Sequence, residues 1–405
     1  MPAPQTVELP SPPFMFLQSL HLRQFRNYRD AEVEFNAPKT ILVGDNAQGK
    51  TNVLEAVALL STLKSARARR DRDLILNDET IAQIHATLKR FDNPVDLAIA
   101  LRSNGRRTVT VNNETCRRQV DFLGILNVVQ FSSLDLDLVR GGPDGRRTWL
   151  DTLLIQLEPI YADLLAKYSK VLKQRNALLK EMRTRDGGER PDPAQFDSEL
   201  ALWDAQLAAI GARVTLRRSR AIDRLAPVAE TWHGAISGRT EALQMRYAPN
   251  VEAMSDPEVR DDLDRGKQAF LDKIQEKAIA EHYQGTTLVG PHRDEIEFNL
   301  NDLPVRQFGS QGQQRTLVLA LKLAELKLIE EVVGEPPVLL LDDVLAELDP
   351  KRQNQLLDAI QTRFQTLITA THLDAFEQDW IRSSQILQVK AGEIWAEAIG
   401  SRELF

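Results

Sequence analysis

Gly44-Asp45-Asn46-Ala47-Gln48-Gly49-Lys50-Thr51 is the stretch that decides the fold of this 405-residue chain. It fits the pattern glycine, any four residues, Gly-Lys-Ser/Thr in full, and each residue type has a chemical reason. Glycines let successive backbone N–H groups turn inward around phosphate oxygens, the lysine ammonium neutralises the β- and γ-phosphates, and the neighbouring hydroxyl is a Mg²⁺ ligand. Upstream, Leu17 to Val43 alternates apolar and polar residues, with Val33, Phe35, Ile41, Leu42 and Val43 marking strands that lead into the glycine turn. Downstream, Val53, Leu54, Val57 and Leu60 recur at helical spacing and predict a helix over Asn52 to Leu63. Strand, glycine turn and helix in that order make a phosphate loop. Gly44, Asp45, Asn46, Ala47, Gln48, Gly49, Lys50, Thr51 and Asn52 are its candidate ATP contacts, with Thr51 also on Mg²⁺.

A phosphate loop needs a second carboxylate site. Val338-Leu339-Leu340-Leu341-Asp342-Asp343 supplies one, as an apolar strand ending in two acids. Asp342 is the candidate Mg²⁺ residue, and Asp343 the one that orients or deprotonates the attacking water. Roughly thirty residues earlier, Phe308-Gly309-Ser310-Gln311-Gly312-Gln313-Gln314-Arg315 opens a helix. This segment resembles the ABC signature, in which serine, glycine and the helix N-terminus bind the γ-phosphate of ATP held by the opposite subunit; a plain helix cap at Ser310 is the other reading. The resemblance makes Ser310 a catalytic candidate with Lys50 and Asp343, and makes Ser310, Gln311, Gly312 and Gln313 nucleotide contacts. Glu347-Leu348-Asp349 is similar to a D-loop. Thr371-His372 is similar to a switch loop, with His372 either a nucleotide contact or a surface histidine.

The rest of the chain frames these motifs. Ile81 to Val111 contains three β-like runs, the last two joined by Asn104-Gly105, a dipeptide suited to a tight hairpin. From Trp149 to Met182 apolar residues recur at three- and four-residue steps, giving one long helix or two meeting at Pro159. After the polar linker Arg183 to Pro193, Leu200 to Val214 repeats that pattern, Asp256 to Ala280 gives a third helix, and β-type sequence returns near Thr286. The expected fold is α/β: an ABC-type ATPase head of mixed sheets and helices over 14–125 and 286–405, interrupted by an inserted, mainly helical lobe over 126–285. No run approaches a membrane span. The single Cys116 fits a reducing cytoplasm, and the proline-rich stretch Met1 to Pro13 has no basic segment and reads as a loose tail rather than a signal peptide.

Further segments narrow the family. Gln24-Phe25-Arg26-Asn27-Tyr28, Asn46 through Glu55, Leu288-Val289-Gly290-Pro291-His292-Arg293-Asp294 and Gly309 through Thr316 all resemble the RecF family, one of the SMC-like ATPase heads. The resemblance covers most of the chain and is weakest from about Thr152 to Gln284. It implies a homodimer formed on ATP that holds double-stranded DNA near single/double-strand junctions, hydrolyses ATP with Mg²⁺, has no nuclease or strand-exchange chemistry, and works with RecR and RecO to load RecA in gap repair. It also implies that Arg26 and Asn27 lie near the nucleotide and makes Gln130 a candidate Mg²⁺-sensing glutamine, with an ordinary strand-end glutamine as the alternative. The Gly290 to Asp294 segment is either functional or a turn fixed by Gly-Pro with Arg293 paired to Asp294. An SMC-like head serving a nuclease, and a DNA-binding scaffold with a structural ATP site, are the competing functions.

Charge indicates where DNA would bind. The chain carries −7 overall, yet residues 1–150 hold 20 Lys and Arg against 17 acids. Nothing resembles a base-reading helix, so contacts would be to phosphates. Lys64, Arg67, Arg69 and Arg70, with Arg72, and the hairpin pair Arg106 and Arg107 rank first. Arg102, Arg117, Arg118, Arg140, Arg146 and Arg147 are further candidates, and a solvated basic surface is the alternative for every cluster.

Overall fold

The computed structural model describes residues 15–91, 93–185, 193–345, 348–360, 363–374 and 376–396. Met1 to Pro13, the middle of the polar linker and Glu347 lie outside the described residues. The chain divides into two compact units, one formed by Met1–Ser133 with Leu326–Phe405 and the other by Leu134–Glu325.

The first unit holds two six-stranded sheets. One is antiparallel: β1 (Phe16–Phe25), β2 (Tyr28–Glu34), β4 (Ile81–Arg90), β5 (Asn93–Arg102), β6 (Arg107–Val111) and β7 (Glu114–Thr115), in the order β2-β1-β4-β5-β6-β7. Alternation drives it: Ala82, Ile84, Ala86 and Leu88 of β4 are fully buried while the residues between them are not. The Asn104-Gly105 hairpin forms as predicted, with Gly105 at φ 81°.

The other sheet runs β15-β14-β3-β13-β12-β8. Its strands are β3 (Lys39–Val43), β8 (Val128–Ser132), β12 (Val338–Asp342), β13 (Thr366–Ala370), β14 (Gln385–Lys390) and β15 (Glu393–Ala396), parallel except for β15. Every residue of β3 is buried, Lys39 and Thr40 included, as expected of a strand inside a parallel sheet covered on both faces. Helix α1 (Lys50–Thr62) leaves the end of β3 through the glycine loop and buries Val53, Leu54, Val57 and Leu60. Strand β13 lies between β3 and β12, so the phosphate loop and the acidic pair end on strands that are not neighbours.

The second unit is helical with a small sheet. The heptad-like run breaks at Glu158-Pro159 into α2 (Pro143–Leu157) and α3 (Ile160–Arg185). Then come α4 (Pro193–Ser237) and α5 (Leu263–Gln284), the latter capped by the Asp262 side chain. Leu179 and Met182 of α3 pack with Leu200 of α4. Three antiparallel strands, β9 (Leu243–Ala248), β10 (Glu295–Leu300) and β11 (Leu303–Pro304), complete the unit, and α6 (Gln311–Val333) begins in it and ends in the first.

These boundaries differ from those expected at 125/126 and 285/286. Strand β8 belongs to the head because it hydrogen-bonds β12, and β10 belongs to the lobe because its partner is β9, a strand within the stretch expected to be mainly helical. Among the described helices none is long and apolar enough to cross a membrane.

Candidate functional site

The candidate site is assembled at the C-terminal ends of β3, β12 and β13. Gly44 follows β3 directly, and a side chain there would come within 2.2 Å of the Val389 carbonyl oxygen. Gly49 takes φ 121°, and a Cβ would meet the Asn27 side chain and the Tyr28 hydroxyl at 2.7 Å. Glycine is required at both positions by the space and, at Gly49, by the backbone angle. Lys50 opens α1 with its ammonium donating to the carbonyls of Gly44 at 2.6 Å and Asp45 at 2.9 Å, so the charge sits within the loop. The Thr51 hydroxyl donates to Asp342 Oδ1 at 2.8 Å. A hydroxyl and a carboxylate oxygen from opposite ends of the sequence thus converge, and this pair of hard oxygen donors fits Mg²⁺.

The β1–β2 turn supports the loop from below. Asn27 Nδ2 donates to the Gln48 carbonyl at 2.8 Å and its Oδ1 accepts from Asn52 Nδ2 at 2.8 Å, while the Tyr28 hydroxyl donates to the Gly49 carbonyl at 3.0 Å. Gln48 Oε1 accepts from the Ala391 N–H at 2.7 Å. Arg26, at φ 56°, turns to α1 and grips Glu55 with both arms at 2.7 and 2.8 Å. Both residues therefore lie at the loop, Asn27 under its backbone and Arg26 against the helix that follows it.

Asp343 adopts φ 54°, an angle that strains any residue with a Cβ. Thr369, at the end of β13, holds it there: its oxygen accepts the Asp343 N–H at 2.9 Å, and its hydroxyl faces Asp342 Oδ1 at 3.0 Å and Asp343 Oδ1 at 3.3 Å. Thr369 was missed in the sequence. Only the interposition of β13 between β3 and β12 brings it to the two acids. Burial pushes the Asp342 carboxyl above its ordinary range, against the lowering effect of the hydrogen bonds from Thr51 and Thr369.

Other sequence candidates fall elsewhere. Gln130 stands opposite Leu340 in the β8–β12 ladder, two residues short of the strand end, and Ser132 is level with Asp342. His372 is exposed just past β13, and Leu348 and Asp349 precede α7 (Pro350–Ile360) with Asp349 joined to Arg352. Ser310 and Gln311 are exposed at the start of α6 on the second unit, where Ser310 Oγ accepts the Gln313 N–H at 3.2 Å and Gln313 Oε1 accepts the Ser310 N–H at 2.7 Å. Gly312 lies in the same first turn. This is a capping box, in which Gln313 braces the helix start.

The basic clusters separate by exposure. Lys64, Arg67, Arg69, Arg70 and Arg106 are exposed. Arg107 instead forms a two-pronged pair with Asp71 at 2.5 and 3.1 Å and also donates to the Leu63 carbonyl, pinning the loop after α1 to the antiparallel sheet. Arg67 donates to Asn52 Oδ1 at 3.1 Å. Arg146 is buried on Glu295, and Arg147 is buried on the Asp294 carbonyl, so neither reaches solvent as a phosphate contact would need. Asp294 is not paired with Arg293. It is buried, accepts from Tyr247, the Asn250 N–H and Thr215, and with Gly290, Pro291 and His292 forms a junction onto Tyr168 and Arg218 inside the second unit.

Comparison with known proteins agrees with this architecture. Residues 16–393 match the RecF/RecN/SMC N-terminal domain family. A DNA replication and repair protein RecF from Nostoc punctiforme is 66% identical over 94% of this chain and 99% of its own length, and one from Trichodesmium erythraeum is 62% identical over 94% and 98%. A solved structure of the recombination mediator protein RecF with ATP, in the RecFOR pathway, superposes with TM-score 0.85 at 30% identity over 95% of this chain and 98% of its own. An Smc head domain from Pyrococcus furiosus shares the fold, at TM-score 0.52 and 15% identity over 95% and 97%. With its phosphate loop, acidic strand end and signature helix in this arrangement, the chain belongs to the RecF family of DNA replication and repair proteins, within the SMC-type ATPase heads.

Proposed function

We propose that this chain binds and slowly hydrolyses ATP between two copies of itself, and that the ATP-bound dimer holds duplex DNA at single/double-strand junctions. The observation that carries the reading is the convergence of Thr51 and Asp342 at 2.8 Å beside the Lys50 ammonium. Gly44 to Thr51 would cradle the phosphates, with Lys50 exchanging its loop carbonyls for phosphate oxygens. Thr51 and Asp342 would hold Mg²⁺, which supplies charge neutralisation at the β- and γ-oxygens when bound. Asp343, fixed by Thr369, orients the attacking water and takes up its proton.

The signature lies on the other unit from the phosphate loop, and supplying it in trans would give each ATP one loop from one copy and one Ser310 from the other. Exposed Lys64, Arg67, Arg69, Arg70 and Arg106 are the phosphate contacts of this scheme, indifferent to base sequence and weakened by salt. Closing on ATP and opening after hydrolysis makes the nucleotide a timer for DNA residence, and a slow step suits a holding function. In this scheme the protein acts with RecO and RecR ahead of RecA loading in recombinational gap repair, in the cytoplasm and without nuclease activity of its own; the description of one relative as a recombination mediator in the RecFOR pathway supports that setting.

The test is the ATPase rate against protein concentration, with and without duplex DNA, at low and moderate salt. A rate that rises faster than linearly and increases with DNA supports the composite site. A linear rate indifferent to DNA refutes it.

A further inference from the structure

The signature segment is braced from outside its own helix. Ser310 and Gln313 close the capping box described above, and Gln313 Nε2 reaches on to Glu241 Oε1 at 2.8 Å. Glu241 follows α4, and its neighbour Ala242 is held by Asn301, whose Oδ1 accepts the Ala242 N–H at 2.9 Å and whose N–H donates back to the Ala242 carbonyl at 3.0 Å. The other carboxylate oxygen of Glu241 lies 3.6 Å from Nε2 of His233, a fully buried residue of α4. The chain Glu241, Gln313, Ser310 therefore ties the start of α6 to the segment that joins α4 to β9, with the buried His233 ring beside it.

The chemistry gives this chain a direction. A primary amide has a donor end and an acceptor end, and the capping box works only with the acceptor end on the Ser310 N–H. A carboxylate can only accept, so Glu241 selects the amide orientation in which the NH₂ faces it and the oxygen faces Ser310. With an apolar or donor group at position 241 that preference disappears, and the flipped amide would set NH₂ against N–H. The hydroxyl hydrogen of Ser310 is not used in the cap, because its oxygen acts there as an acceptor.

We infer that Glu241 is a positioning residue for the signature: by fixing the Gln313 amide it presets Ser310 for the γ-phosphate held by a second copy. The inference rests on the trans arrangement proposed above. It predicts that Glu241 acts on dimer closure and on turnover, and leaves ATP binding at the phosphate loop of the other unit untouched.

The experiment compares full-length wild type, Ser310→Arg, Gln313→Glu, and the exchanged pair Glu241→Gln with Gln313→Glu. ATP affinity is read with a fluorescent ATP analogue, ATP-dependent dimerisation by sedimentation, and folding by thermal melting. Gln313→Glu keeps an acceptor for the Ser310 N–H but sets two carboxylates together. Dimerisation should weaken by about tenfold, the scale of losing one charge-assisted hydrogen bond, with ATP affinity unchanged within about twofold. The exchanged pair restores the donor in the opposite sense and should recover dimerisation to within about threefold of wild type. A merely structural role would move the melting temperature and ATP affinity together and would show no such recovery. Wild-type dimerisation in Gln313→Glu, or no recovery in the exchanged pair, overturns the inference while Ser310→Arg still blocks the dimer. Should Ser310→Arg dimerise normally on ATP, the trans reading itself fails and the inference falls with it.

Discussion

Thr369→Val exchanges one buried hydroxyl for a methyl of nearly the same size, so packing is kept and hydrogen bonding alone is probed. Three contacts go: the acceptor for the Asp343 N–H at 2.9 Å and the approaches to Asp342 at 3.0 Å and Asp343 at 3.3 Å. An orphaned buried N–H costs about 1–3 kcal/mol, and a carboxylate that loses its donor costs about 1.5–3 kcal/mol. Partial rehydration of Asp343 leaves a net loss of roughly 2–4 kcal/mol in folding stability. The kinetic effect follows from the φ of 54° at Asp343, which relaxes once nothing holds the N–H. A reacting group displaced by about 1 Å loses up to about a hundredfold in rate, so kcat should fall ten- to a hundredfold while KM for ATP changes less than about threefold.

The pH profile gives a second readout of the same variant. Burial already raises the Asp342 carboxyl, and Thr369 is one of the two donors that lower it. Without it the group protonates at a still higher pH. Mg²⁺ binding needs the carboxylate, so at limiting Mg²⁺ activity is lost as pH falls through that value, and the acid limb of kcat/KM should move to higher pH. Steady-state ATPase from pH 5 to 8, with urea denaturation for stability, measures both. A kcat within twofold of wild type together with an unmoved acid limb would refute the role given to Thr369.

Four further outcomes are expected. Arg106→Ala and the Arg69→Ala, Arg70→Ala pair should weaken duplex binding and reduce the salt dependence by about 0.9 per lost phosphate contact, as titrations at several salt concentrations would show. Arg107→Ala should leave the salt slope alone and lower the melting temperature, because its guanidinium is held by Asp71. Gly290→Ala should destabilise by at least about 1–3 kcal/mol from its φ of 130° alone, and further because the new Cβ would lie 2.4 Å from the Tyr168 hydroxyl; urea midpoints check this, with ATP affinity unchanged. Glu55→Ala should cost about 3–5 kcal/mol by leaving Arg26 without its partner, read in the same denaturation assay.

Much of this site was legible in the sequence because its chemistry is local. The glycines of the phosphate loop, Lys50 and Thr51 stand at fixed spacing, and the run Val338 to Leu341 announces a buried parallel strand before its two acids. The Ile81 to Val111 hairpins were equally readable, since period-two burial and an Asn-Gly turn are properties of short windows. What escaped depends on partners far away in the chain. Strand β8 looks like any short apolar run until β12, some two hundred residues later, pairs with it. Thr369 is an unremarked threonine until sheet order sets it beside Asp342. Arg107 and Arg147 read as basic surface because a sequence does not show which arginines meet Asp71 or the Asp294 carbonyl. The capping box was half visible, as a serine followed three residues on by glutamine, but Glu241 carries no sign of its role.

The order of strands in the parallel sheet also bears on how the protein is made. Strand β3, which presents the phosphate loop, pairs with β13 and β14, and those span residues 366–390. While the ribosome is still building the first three hundred residues, the antiparallel sheet from β1 to β6 has all its partners, but β3 has neither of its own. The nucleotide pocket can close only when the last tenth of the chain emerges, and a nascent chain stalled before that point carries an intact phosphate-loop sequence on an unpaired strand edge. Such an edge invites pairing with other chains, and it falls to late, long-range folding, the slow kind, to remove it.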